Sequence, residues 1–145
     1  MRPGHSFKSV EWFHKSSNWR FESLDLSSNN ISGIIPDDEL SHLSRLQYLS
    51  ILNLSHNKLS GPCPTQLSNL HALEQLFLSH NYLNGSIPKV ISVLWLITID
   101  LSHNMLSGKI PFELGNMSSL NYLDLSYNKL TSNIPTNLLD RKSVV

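Results

Sequence analysis

Between Pro111 and Pro135 the apolar residues Leu114, Met117, Leu120, Leu123 and Leu125 stand three, three, three and two residues apart, and Asn128 follows three later. The step of two is the period of a β-strand, with Leu123 and Leu125 on one face and Tyr122, Asp124 and Ser126 on the other. The steps of three suit a 3₁₀-like or irregular return. One short strand, a turn and a return segment are therefore expected. The same phrase occurs five times, as LDLSSNNISGIIP, LNLSHNKLSGPCP, LFLSHNYLNGSIP, IDLSHNMLSGKIP and LDLSYNKLTSNIP. Its asparagines, Asn29, Asn57, Asn81, Asn104 and Asn128, recur at intervals of 28, 24, 23 and 24 residues. Units of this length cannot bury their own apolar edges and must stack on their neighbours. The predicted fold is an α/β solenoid, an arc with a parallel β-sheet along its concave face and irregular or 3₁₀ returns along its convex face.

The polar residues of the phrase have structural work in such a stack. A side-chain amide both donates and accepts, so a row of five asparagines bonds to the backbone of its own and adjacent turns. Gly33, Gly61, Gly85 and Gly108 supply a permissive backbone as the chain leaves the strand, and Pro36, Pro64, Pro88, Pro111 and Pro135 fix its direction into the return. Three units depart from the pattern. The last reads TSN in place of Ser-Gly, and Asn133 is expected to take the glycine-like step. The return between Pro36 and Leu52 is four residues longer and carries an extra triplet (Leu40, Leu43, Leu46, Leu49), which reads as a lengthened convex segment. The unit after Pro88 is one residue short. Counting back from Asn104 buries Val90, Val93, Leu96, Ile99 and Leu101; counting forward from Pro88 buries Ile91, Leu94 and Ile97. The set that loses is expected to join Trp95 in an exposed apolar patch.

The units occupy residues 21–139 of 145, flanked by a degenerate N-terminal segment or improvised cap at 1–20 and a tail at 140–145. Phe7, Val10 and Phe13 keep a spacing of three, and Trp12, Trp19 and Phe21 are placed to cover the first strand. Leu138 and Leu139 precede only a short tail, so the last unit is expected to be barely covered. Charged residues make up 15% of the chain and the formal net charge is zero. Nucleic acid and anionic membrane surfaces need clustered Lys and Arg, so neither is an expected partner. The first residues lack the continuous apolar core of a secretory signal, and no run approaches the roughly 18 apolar residues of a membrane span. The single cysteine, Cys63, excludes an internal disulfide and stands where the other phrases have isoleucine, so a small buried thiol is expected.

The phrase LxxLxLSxNxLSGxIP across residues 21–138 resembles the plant-specific leucine-rich repeat. That class is found mainly in ectodomains of plant receptor-like kinases and receptor-like proteins, and in polygalacturonase-inhibiting proteins. The resemblance implies a right-handed superhelical arc in which a second short strand around LSG adds twist. It implies a non-catalytic recognition module on the extracellular side of the plasma membrane, binding a peptide or protein ligand, with a co-receptor as a further partner. The alternative it leaves open is a secreted enzyme inhibitor. Paired-cysteine caps are usual at both ends of such ectodomains and are missing here, so a segment of a longer ectodomain is expected.

The outward strand positions define the candidate binding columns. Asp25, Asn53, Phe77, Asp100 and Asp124 stand four residues before each ladder asparagine, and Ser23, Ile51, Gln75, Thr98 and Tyr122 stand six before. Five strands about 4.8 Å apart span roughly 19 Å, room for several residues of extended peptide. The ligand-binding set is Asp25, Asn53, Gln75, Phe77, Asp100, Tyr122 and Asp124, a mildly acidic and partly aromatic strip. His56, His80 and His103 form a further column, one residue before the asparagines. Its spacing does not suit three ligands on one zinc, and no metal or other cofactor is expected. No nucleophile–base order, phosphate loop or metalloprotease motif occurs, so no catalytic residue is assigned. Four N-x-S/T sequons occur at Asn30, Asn53, Asn84 and Asn116. Asn30, Asn84 and Asn116 are glycosylation candidates, whereas a glycan on Asn53 would obstruct the concave face.

Overall fold

A computed structural model describes residues 22–35 and 47–139. The expected end caps at 1–20, the extra triplet from Leu40 to Leu46, Pro36 and the tail at 140–145 lie outside the described residues. Within them, each apolar phrase forms the short strand its period of two requires. The strands β1 (Ser23–Asp25), β3 (Ile51–Asn53), β5 (Gln75–Phe77), β7 (Thr98–Asp100) and β9 (Tyr122–Asp124) lie side by side in that order, all parallel. Their inward residues Leu24, Leu52, Leu76, Ile99 and Leu123 are register partners. All but Leu24, in the first described strand, are buried. The returns are 3₁₀ helices at Thr65–Asn69, Lys89–Val93 and Phe112–Asn116, each entered from a proline at φ −69, −74 and −60°. One four-residue helix, α1 (Thr136–Leu139), takes the same place in the last unit. Its Leu138 is buried in the core.

A second row of strands follows the asparagines: β2 (Ser32–Ile34), β4 (Lys58–Pro62), β6 (Tyr82–Asn84), β8 (Ser107–Gly108) and β10 (Lys129–Leu130). The concave sheet pairs equivalent positions. The second row does not. Ile34 stands opposite Ser60, Ser60 opposite Tyr82 and Ser107 opposite Lys129, a slip of two residues at each step. A slip of two keeps each side chain on its own face and displaces the strand by about 6.6 Å. Each unit therefore meets its neighbour squarely on one side and staggered on the other.

The asparagine ladder carries the inter-unit bonds. Asn81 is buried, its Nδ2 donating to Leu54 O at 3.0 Å in the preceding unit and to Leu78 O and Ser79 O in its own. Its Oδ1 accepts from Leu59 N–H at 3.0 Å. Asn57, Asn104 and Asn128 repeat this four-bond pattern. Among the described residues Asn29 donates to Leu26 O and Ser27 O of its own unit.

Two sequence expectations are corrected. The glycine-like step of the last unit falls on Ser132, at φ 84°, and not on Asn133. Ser132 stands four residues after its ladder asparagine, as Gly61, Gly85 and Gly108 do, so stacking register overrides the better left-handed tolerance of asparagine. The short unit follows neither proposed register throughout. Ile91 and Leu94 are buried as counted forward, then Leu96, Ile99 and Leu101 as counted back. The missing residue is absorbed between Leu94 and Leu96, where the two-residue turn found at His71–Ala72 in the preceding unit is absent. Val93 and Trp95 are left outside at 66% and 69% exposure, while Val90 and Ile97 are half-buried.

Candidate ligand-binding face

Strand register brings the seven candidate side chains onto one wall. Asp25, Asn53, Phe77, Asp100 and Asp124 are consecutive partners in one column, and Ser23, Ile51, Gln75, Thr98 and Tyr122 in the next. Both columns face away from the leucine core and are exposed or half-buried.

Four members of the first column also hold the turn that follows each strand. Asp25 Oδ1 accepts from Ser27 N–H at 2.9 Å, Asn53 Oδ1 from Ser55 N–H at 3.1 Å, Asp100 Oδ1 from Ser102 N–H at 3.0 Å and Asp124 Oδ1 from Ser126 N–H at 2.9 Å. This is the turn in which a short acid or amide bonds its own backbone two residues on. The recurring D-L-S and N-L-S tripeptides carry the signal for it, and sequence reasoning had treated those residues only as surface. Ser27's hydroxyl and N–H hold the Asp25 carboxyl below the usual carboxylate range, with help from the Asn53 amide. At Asp124 burial pushes the other way but is outweighed by Ser126, Tyr122 and His103, and the carboxyl again lies low. Burial, followed by the Asp124 and Asp100 charges, raises the Tyr122 phenol. Both acids are ionised at neutral pH and Tyr122 is a neutral donor.

Phe77 breaks the column. A phenyl ring cannot close the turn, and its unit gives up a bond that the other four make. The position offers a half-buried aromatic surface between Asn53 and Asp100 instead.

Beside these columns runs a row that sequence reasoning described only in part. Ser28, His56, His80, His103 and Tyr127, each one residue before a ladder asparagine, hold left-handed backbone at φ 51–55°. The rings of His56, His80, His103 and Tyr127 stack face to face, with centroids 4.1, 4.0 and 4.1 Å apart and planes within 12–15° of parallel. Parallel imidazoles aim their lone pairs along parallel lines, so three rungs do not converge on one ion. Among the described residues no group of three or more His, Cys, Asp or Glu is placed to hold a metal. Cys63 is a buried thiol in the core, as its position implied.

Of the four sequons, Asn30, Asn84 and Asn116 are exposed. Asn116 ends a convex 3₁₀ helix, and its Oδ1 accepts from Asn137 Nδ2 at 3.0 Å. Asn53 is half-buried in the binding wall, its Oδ1 held by both the N–H and the hydroxyl of Ser55.

The fold is a quasi-one-dimensional stack with one wall of polar and aromatic side chains. Residues 48–106 match a leucine rich repeat family model, and residues 20–43 and 119–140 match a second model of the same description. A chain of the BIR3–SERK2 complex from Arabidopsis thaliana is 36% identical, with 95% of this chain and 75% of that one covered, at a TM-score of 0.71. The chain belongs to the leucine-rich repeat family, in the form found in plant receptor ectodomains. The plant peptide hormone receptor RGFR1, in complex with RGF2, is 38% identical over 83% of this chain, at a TM-score of 0.75. A plant ice-binding protein is 36% identical over 80% of it, at 0.73. This chain spans only 19% of the receptor and 37% of the ice-binding protein. Among the described residues no helix is long and apolar enough to cross a membrane.

Proposed function

We propose that this chain is a non-catalytic recognition module that binds a peptide or protein ligand on its concave face, outside the plasma membrane. The likeness to a peptide hormone receptor in complex with RGF2 supports this reading over an enzyme inhibitor. The likeness to an ice-binding protein is a reminder that the scaffold alone does not choose a ligand, so side chains must carry the case. Phe77 carries it. Asp or Asn at this column has a structural reason in every other unit, and Phe77 forgoes that reason to present a ring within an open strip. Aromatic anchors of this kind dominate binding energy at protein interfaces. Gln75, Asp100, Tyr122 and Asp124 line the wall on either side of it, with Asp25 and Asn53 toward the first strand. Glycans on Asn30, Asn84 and Asn116 leave this wall clear, and Asn53 stays unmodified.

Phe77→Asp separates function from folding, because it restores the turn made by the other units. Random peptides are selected for binding to the intact chain and their affinities compared with those for Phe77→Asp. Thermal stability of the variant is expected to be equal or higher, while affinity falls at least roughly tenfold, the scale of an aromatic hot spot. Peptides that bind both proteins equally would move the site off the concave face.

A further inference from the structure

The ring column calls for an explanation that the backbone does not supply. Ser28 adopts the same left-handed conformation at φ 55°, so the turn needs no ring. Core packing is not the reason either, because His56, His80 and Tyr127 are exposed. What the choice of residue creates is a surface row of three protonatable rungs, two ring spacings of 4.1 and 4.0 Å from end to end. We propose that His56, His80 and His103 form an acid-gated docking strip for an acidic peptide segment, distinct from the strand columns. It stands independently of the concave-face reading.

Charge at close spacing makes the strip sensitive to pH. Two imidazolium ions one ring spacing apart repel even at the dielectric constant of water. The free column therefore fills with protons reluctantly, and the middle rung most of all. Desolvation and the His103 and His56 charges hold His80 below the ordinary imidazole value, against the opposing pull of Asp100. Acidic side chains at alternate positions of an extended peptide fall on one face about 6.6–6.8 Å apart, wider than one ring spacing and narrower than two, so a pair of them brackets the column.

A bound carboxylate removes the repulsion, so peptide and protons must bind cooperatively. The charged groups facing the column locate the stronger end. Asp100 lies against His80 and Asp124 against His103, and each partly neutralises its rung. By repeat equivalence the residue in that place for His56 is Phe77, which carries no charge, and Lys58 follows two residues later in the chain. The ligand carboxylates accordingly favour the His56–His80 end.

The test uses the full chain and an acetylated, amidated Glu-Ala-Glu peptide, with Gln-Ala-Gln as its uncharged control. NMR follows the imidazole Hε1 signals from pH 5 to 7.5, and calorimetry in buffers of different ionisation heat counts protons taken up. Binding is expected to be roughly tenfold tighter at pH 5.5 than at 7.5, with about one proton taken up per peptide and the His56 and His80 titrations moved upward. Phe77→Asp, which puts a carboxylate in the place facing His56, should weaken this binding. Equal affinity at both pH values, equal response to the two peptides, or unmoved imidazole titrations would each overturn the proposal.

Discussion

Replacing Asn81 by alanine tests the ladder, and the structure supplies both the cost and its control. Three carbonyls lose the Asn81 amide, but each keeps another donor. Leu54 O retains Asn57 Nδ2, Leu78 O retains Asn104 Nδ2 and Ser79 O retains His56 N–H. One group is orphaned: the N–H of Leu59, whose residue is fully buried. An unsatisfied buried donor costs about 1–3 kcal/mol, and the three lost bonds add a net few tenths to 1 kcal/mol each. The expected loss is about 3 kcal/mol. Among the described residues Asn29→Ala removes two exposed bonds within one unit, so it should cost under about 1 kcal/mol.

Urea unfolding at neutral pH measures both variants, and heating gives a second reading. About 3 kcal/mol corresponds to a Tm lower by roughly 6–12 °C for a chain of this size. The damaged bonds lie between the second and third units of a one-dimensional stack, so the Asn81→Ala transition should also broaden as cooperativity weakens. Equal costs for the two variants would refute the view that cross-unit satisfaction of buried backbone, rather than local turn closure, holds the units together.

The short unit's register is checked by a pair of variants. Leu94→Ala should cost about 2–4 kcal/mol by equilibrium unfolding and Val93→Ala under about 0.5, and the reverse order would restore the backward count. Ser132→Gly relieves a left-handed serine and should stabilise by roughly 0.5–1 kcal/mol, whereas Asn133→Gly should not, both read as shifts in urea midpoint. Acid should weaken the fold through His80. Its imidazole titrates below the ordinary value in the folded chain, so unfolding takes up protons and the stability it contributes, complete above about pH 6.5, fades as pH falls. Urea midpoints at pH 7.5 and 5.5 should differ less in His80→Gln than in the parent, and an unchanged difference would remove His80 from the account. The low-titrating Asp25 and Asp124 act only nearer pH 4 and below, outside that window.

The chain's periodicity was enough to define the repeat, the strand in each unit, the 3₁₀ returns and the amide row. Each of these follows from local spacing and from the need to satisfy buried backbone, and both are written in near-identical phrases. The seven wall residues were legible too, because alternate positions of a short strand must share a face. Contacts between units decided the rest. Which apolar set the short unit buries depended on whether Leu94 and Leu96 could both reach the core across a deleted turn. Two flanking units settle that, and Val93's neighbours in sequence do not. Ser132 accepts left-handed backbone because its place in the stack leaves no alternative. The two-residue slip of the second strands, and the closing of three imidazoles and a phenol into one column, arise only when units are laid side by side. A sequence records what each unit prefers; the distance and rotation between units are set by the packing they share.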